Sequence, residues 1–218
     1  MRSSRHLPIL TFIAVVIGVQ FLAQMSGKEF FLTQLTMTAC YSLAIIGLCV
    51  LMGFAGQISL GHAGFFAIGG YTSAVLTTLD LTPQRGQTFV ALLAKLNIIG
   101  ARPDLYGGTL LTIHPWMACL IAILLTFIIA YAIGVPVLRL KGHYLAMATL
   151  GFGTIIYSVV LGTQRFGAAD GISNVPPFQL LPGLSISGAS GARIQTYYVA
   201  WGLVVVAMVL LGNLINSR

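Results

Sequence analysis

The chain has 218 residues, of which 57% are hydrophobic and 7% are Asp, Glu, Lys or Arg, and its mean hydropathy is +0.95. A water-facing surface needs roughly a quarter of its residues charged, so soluble enzymes, secreted scaffolds and nucleic-acid binders are excluded. The formal charge of +7 does not reverse this, because Arg2, Arg5, Arg139, Lys141 and Arg218 stand at the edges of apolar segments, where cations set membrane orientation.

In chain order, the first apolar run is Leu7–Leu22, behind Arg2 and Arg5. The residues that follow, Ala23-Gln24-Met25, lack the small-x-small pattern of a cleaved leader, so the run is read as a retained span. Next comes a stretch of 50 uncharged residues, 30–79. As one helix it would be about 75 Å long against a hydrocarbon core of about 30 Å, so it must fold back. Gly53, Gly56 and Gly61 are the breakers near its middle, which predicts helices over Phe30–Met52 and Leu60–Leu79 joined by a glycine-rich turn. Further crossings are predicted over Pro115–Leu138, Tyr144–Leu161 and Tyr197–Ile215. The fold expected is all-α, a polytopic helical membrane protein of about six transmembrane helices with a glycine-rich central helix.

Two long connections separate these spans. Asp80–His114 holds Arg85, Lys95, Arg102 and Asp104, and Thr163–Thr196 holds Pro176, Pro177, Pro182 and many glycines. With six crossings and a cytoplasmic N-terminus, both connections lie outside and the short turn carrying Arg139 and Lys141 lies inside, in keeping with the positive-inside rule. Cys40, Cys49 and Cys119 sit in apolar runs without neighbours at metal-ligand spacing and read as packing residues.

Two motifs stand out. In Gly56–Tyr71, a helix would place Ser59, Ala63, Ala67, Gly70 and Ala74 along one face, with Gly64 beside it. A face of small residues lets a second helix backbone approach closely. Gln57, Ser59 and His62 cluster at the glycine-rich break, and polar groups at membrane depth usually face protein or water. They are the candidate translocation path. The second motif, Leu138–Thr154, reads as a short basic cytoplasmic turn at Arg139 and Lys141 followed by a helix carrying small residues. Asp170-Gly171 reads as a turn. Phosphate-loop, zinc-protease and serine-elbow patterns are absent from the sequence, so no catalytic or metal-binding residue is assigned.

The run Gly53–Tyr71 resembles the glycine-rich signature of branched-chain amino-acid ABC importer permeases. Leu138–Thr154 with Ile155 is similar to the Leu-Arg-Leu-Arg-Gly-x-Tyr-Leu-Ala stretch of LivM-type subunits and its Thr-Leu-x-Phe-Gly continuation. Asp170-Gly171-Ile172 and Tyr197-Tyr198 follow in the same order, and the resemblance spans about 30–218. It implies a permease subunit carrying branched-chain amino acids, or a related small polar solute such as urea, across the bacterial inner membrane. It further implies a second homologous permease, two cytoplasmic ATPase subunits and a periplasmic substrate-binding protein as partners. ATP and Mg would bind to those ATPases, with no cofactor in this chain. In such permeases a cytoplasmic helical loop and further spans follow the Ser-Arg that here is Ser217-Arg218. The chain is therefore expected to be a single transmembrane permease domain, 1–218, truncated at its C-terminus. A self-sufficient channel or secondary transporter for a small polar solute is the alternative reading.

Overall fold

The computed structural model describes residues 7–84, 94–95, 98–103, 109–140, 142–181 and 183–215. Arg2, Arg5, Arg85, Asp104, Lys141 and Arg218 lie outside them. Among the described residues six long helices follow one another: α1 Leu7–Met25, α2 Phe30–Ala55, α3 His62–Thr78, α4 Pro115–Val137, α5 His143–Gly162 and α6 Arg193–Ile215. Four regions among them are long and apolar enough to cross a membrane, namely Phe30–Ala55, Pro115–Val137, His143–Gly162 and Ser190–Ile215. At about 1.5 Å per residue, the 17 residues of α3 reach about 25 Å, less than a full hydrocarbon core.

The helix limits follow from local chemistry. Pro115 opens α4, where its missing N–H costs nothing. Gly142, in a positive-φ conformation, precedes α5. The helix α2 runs three residues past the expected Met52, through Gly53 to Ala55, and stops at Gly56. There φ is +62°, a left-handed value that glycine adopts without steric cost. Residues 56–61 are then non-helical, and α3 begins two residues later than expected. In the other direction α6 begins four residues earlier than expected, at Arg193, after a short 3-10 turn at Ser190–Ala192.

Both long connections contain a short antiparallel strand pair, which an all-α fold does not include. Strands β1 (Ile99–Pro103) and β2 (Thr109–Ile113) form an antiparallel pair with Ile99 opposite Ile113 and Pro103 opposite Thr109. Strands β3 (Phe178–Leu181) and β4 (Leu184–Ile186) form another, with an irregularity between Gln179 and Leu181. These strands are three to five residues long, and two strands alone are marginal in water. Each pair is therefore tied to a helix end, as described below.

The chain folds as two compact units, Met1–Val50 with Pro177–Arg218, and Leu51–Pro176. In the first, Tyr197 of α6 is the central residue. Its side chain is 1% exposed and packs with Val16 of α1 and Leu32 of α2. Its hydroxyl donates to the Val16 carbonyl at 2.9 Å, so a main-chain oxygen of α1 accepts a bond from another helix. One residue on, the Tyr198 hydroxyl donates to Gln20 Oε1 at 2.9 Å, and Gln20 Nε2 donates to Gln24 Oε1. Further along α6, Ala200 and Val204 pack on Ala39 of α2, with Phe12 and Trp201 alongside. The β3–β4 hairpin is held to the start of α6 by side chains. Gln195 Oε1 accepts from the Ser185 amide and Gln195 Nε2 donates to the Gly183 carbonyl. The Thr196 hydroxyl meets both the amide and the carbonyl of Ser187.

In the second unit, α3 lies between α4 and α5, which places the glycine-rich helix at the centre of its neighbours. The β1–β2 hairpin caps one end. The Leu81 amide donates to the Leu111 carbonyl at 2.9 Å and the Leu111 amide donates to Thr82 Oγ1 at 3.1 Å. Leu81, Ile113 and Ala118 form a small core beneath it. Elsewhere the spans expose large apolar side chains, for example Phe127 and Tyr131 of α4, as helices solvated by lipid do.

Tyr197→Phe removes a buried hydroxyl and its bond to the Val16 carbonyl, which keeps its helical partner within α1, so it is expected to lower stability by roughly 1 kcal/mol. Tyr198→Phe, at the more exposed site, should cost less. Thermal unfolding of the purified protein in detergent checks this, and equal losses in the two variants would show that the Tyr197 bond has no special weight.

Candidate functional site

The two sequence motifs meet in space within the second unit. After α2 ends, the chain from Gly56 to Gly61 is non-helical, and bare backbone polar groups are costly at membrane depth. The helix α5 satisfies one of them. Thr149 Oγ1 accepts from the Leu60 amide at 3.0 Å while its own proton goes to the Ala146 carbonyl at 3.0 Å. A single threonine thus joins the break in front of α3 to the first turns of α5.

Close approach depends on missing side chains. A Cβ placed on Gly61 would lie 3.0 Å from the Thr149 carbonyl oxygen and 3.3 Å from the Phe152 ring. One on Gly64 would lie 3.0 Å from the same ring and 3.5 Å from Gly153 Cα. One on Gly153 would lie 3.7 Å from the Leu60 carbonyl oxygen. The space left by these glycines is filled by Phe152, whose ring meets that of Phe65 with centroids 4.8 Å apart. The junction is a ring wedged between two helices that have no side chains to keep it out.

The residues proposed for a translocation path fall at this junction. Ser59 is buried, at 7% exposure, and Gln57 and His62 are half-buried. His62 is the first residue of α3, and its Nδ1 is buried without a hydrogen-bond partner among the described residues. Gly61, the N-cap of α3, supplies no side-chain cap, so the first amides of the helix add a partial positive charge beside these three side chains.

The expected small-residue face is divided between two neighbours. Ala63, Gly64 and Ala67 line a cavity of about 320 Å³ against Gly153, Thr154 and Tyr157 of α5. Gly70 lines a second, of about 560 Å³, against Cys119 and Thr126 of α4. Ala63 and Gly70 are exposed, Gly64 is buried, and Ala67 and Ala74 are half-buried. Arg139 is exposed in the turn between α4 and α5, while Lys141 lies outside the described residues. Asp170-Gly171 does form a turn, closed by their amides on the Gly167 carbonyl at 3.0 and 3.1 Å.

Sequence reasoning singled out both motifs but not their contact. Leu60, Gly61, Thr149 and Phe152 make it, and none was a candidate. The signal within the sequence was that each motif combines glycines with phenylalanines inside a lipid-soluble stretch, a pairing that suits a ring packed on bare backbone.

Gly61→Ala and Gly64→Leu should each destabilise the protein by about 1–3 kcal/mol, the usual cost of overpacking. Gly70→Ala, where a Cβ meets nothing within 4 Å, should be neutral. Detergent melting curves for the three variants check the contrast, and a neutral Gly64→Leu would contradict the wedge.

Residues 30–216 match the family described as branched-chain amino acid transport system / permease component. Similar proteins include the high-affinity branched-chain amino acid transport system permease protein LivM of Salmonella typhimurium strain LT2 and that of Escherichia coli K12. Each is 34% identical over 142 residues, which is 65% of this chain and 26% of the relative. The match thus spans about a quarter of the length of these relatives. No solved structure matches. A multi-pass helical protein with both glycine motifs in contact, this chain belongs to the branched-chain amino acid transport system permease family.

Proposed function

We propose that the chain serves as a membrane-spanning subunit of an ABC importer that moves branched-chain amino acids, or a related small polar solute such as urea, inward. The observation that carries this reading is the break before α3. It is an interrupted helix held by a neighbour, with Gln57, Ser59 and His62 gathered at its start. A zwitterion passing a bilayer needs hydrogen-bond partners throughout, and an uncapped helix N-terminus favours its carboxylate. Rocking of α3 against α5 about the Leu60–Thr149 bond would alternate access to that place.

The energy source belongs to other polypeptides in this proposal. Two cytoplasmic ATPase subunits bind ATP and Mg, a second homologous permease completes the pathway, and a periplasmic binding protein delivers the solute. The membrane is the bacterial inner membrane, with the N-terminus in the cytoplasm. That orientation puts the α4–α5 turn with Arg139 inside and the segment after α5 outside. In a cysteine-free background, Ala169→Cys should react with a membrane-impermeant thiol reagent in intact spheroplasts, and Leu140→Cys only after permeabilisation. The reverse pattern would overturn the orientation.

Uptake into proteoliposomes holding all the subunits, with leucine, valine and urea in competition, tests the transport reading. Competition by leucine and valine identifies branched-chain amino acids as the solute, and competition by urea instead identifies the related small polar solute. The Gln57→Leu, His62→Leu double variant should lower uptake about tenfold or more while membrane insertion is unchanged, since a polar ligand facing apolar groups loses its hydrogen bonds. Wild-type uptake by that variant would remove both residues from the path.

A further inference from the structure

The second unit has another cavity, of about 390 Å³, at the end of α3 opposite the junction, within the range of roughly 300–1,000 Å³ seen for small-molecule sites. Its lining is Val75, Thr78, Leu79, Asp80, Leu81 and Arg165. We infer that this cavity is a binding subsite for an aliphatic α-amino acid as the zwitterion, with Asp80 receiving the ammonium group and Arg165 the carboxylate. The inference rests on the permease reading above and assigns its solute a place and an orientation.

Three features of the cavity support it. First, a carboxylate and a guanidinium share one lining, yet among the described residues they form no ion pair. A ligand that carries an ammonium and a carboxylate on one Cα requires its two protein partners to be held apart by its own width. A direct salt bridge would close that space. Second, the Asp80 carboxylate is held from behind and the turn that carries Arg165 is anchored, both side chains being exposed. The Thr82 amide donates to Asp80 Oδ1 at 2.8 Å. Thr82 hydrogen bonds, from the side chain first and then the main chain, hold the Asp80 carboxyl below its ordinary range, so it is ionised at neutral pH. A carboxylate has about four acceptor positions, which leaves capacity for an ammonium group. Arg165 sits in the 3-10 turn Gln164–Phe166, and that turn is docked on α3 through the rings of Phe166 and Tyr71, 6.0 Å apart. Third, the remaining lining suits an aliphatic side chain. Val75, Leu79 and Leu81 are apolar, and the Thr78 hydroxyl spends its proton on carbonyls of its own helix.

The test uses this chain in lipid nanodiscs with three probes: leucine, 4-methylpentanoate, which lacks the ammonium, and 3-methylbutylamine, which lacks the carboxylate. Binding is followed by ligand-observed NMR. Wild type should prefer leucine to both analogues. Asp80→Asn, which keeps the acceptor for Thr82, should weaken leucine binding about tenfold and abolish the preference over 4-methylpentanoate. Arg165→Gln should weaken it similarly and abolish the preference over 3-methylbutylamine instead. A misfolded variant would lose both preferences together, and unchanged helical circular dichroism guards against that case. Unaltered leucine binding and selectivity in both variants would overturn the subsite. So would wild-type nanodiscs that bind no leucine when the complete transporter takes leucine up, an outcome that leaves the permease reading standing. A complete transporter that carries urea and not leucine would sink the amino-acid reading and the subsite with it.

Discussion

Main-chain polar groups left bare in a bilayer are costly, and at the break before α3 a hydroxyl from another helix satisfies one of them. The chain interrupts itself between α2 and α3, and the interruption is sustained because Thr149 receives the Leu60 amide. Everything near it follows from getting α5 close enough to do so. The glycines at 61, 64 and 153 shorten the distance between backbones, and Phe152 fills what they vacate. Apolar contact alone would not organise the pair, since lipid tails offer the same contacts. Shape and one hydrogen bond decide the arrangement.

The first unit is joined by different means. There the helices α1, α2 and α6 are uninterrupted where they meet, and Tyr197 supplies both the bulk and the polar contact. A large aromatic that ends in a donor can reach across to a partner helix. Where the helices stay apart a long side chain bridges them, and where they touch the side chain is deleted.

Much of this was legible in the residues. A 50-residue stretch without charge can only be two helices, and Gly56 is where the turn of hand occurs. The helix limits fell within a few residues because Pro115 and the glycines punctuate the sequence strongly, while four of the six expected crossings are long and apolar enough to span. The hairpins were hidden, since strands such as Ile99–Pro103 are short, and the groups that anchor them, Thr82 for one and Gln195 and Thr196 for the other, lie outside the strands themselves. The junction was hidden for a related reason: Gly61 and Phe152 are 91 positions apart in the chain, and no periodicity within either motif reports on the other. The division of the small-residue face between α4 and α5 was equally out of reach, because a helical wheel shows which residues share a side and not how many neighbours that side has.

The 25 glycines of this chain are not equivalent under mutation. At Gly61 even the smallest side chain comes within 3.0 Å of a carbonyl oxygen, so every substitution there is expected to carry a steric cost. At Gly70, Gly151, Gly202 and Gly212 a methyl group meets nothing within 4 Å of this chain, and substitutions there carry no steric penalty from it. Neutral drift would therefore erode the glycine richness that makes the motif conspicuous while leaving a sparse set of fixed points, and a distant homologue would be recognised by the spacing of those few positions rather than by its composition.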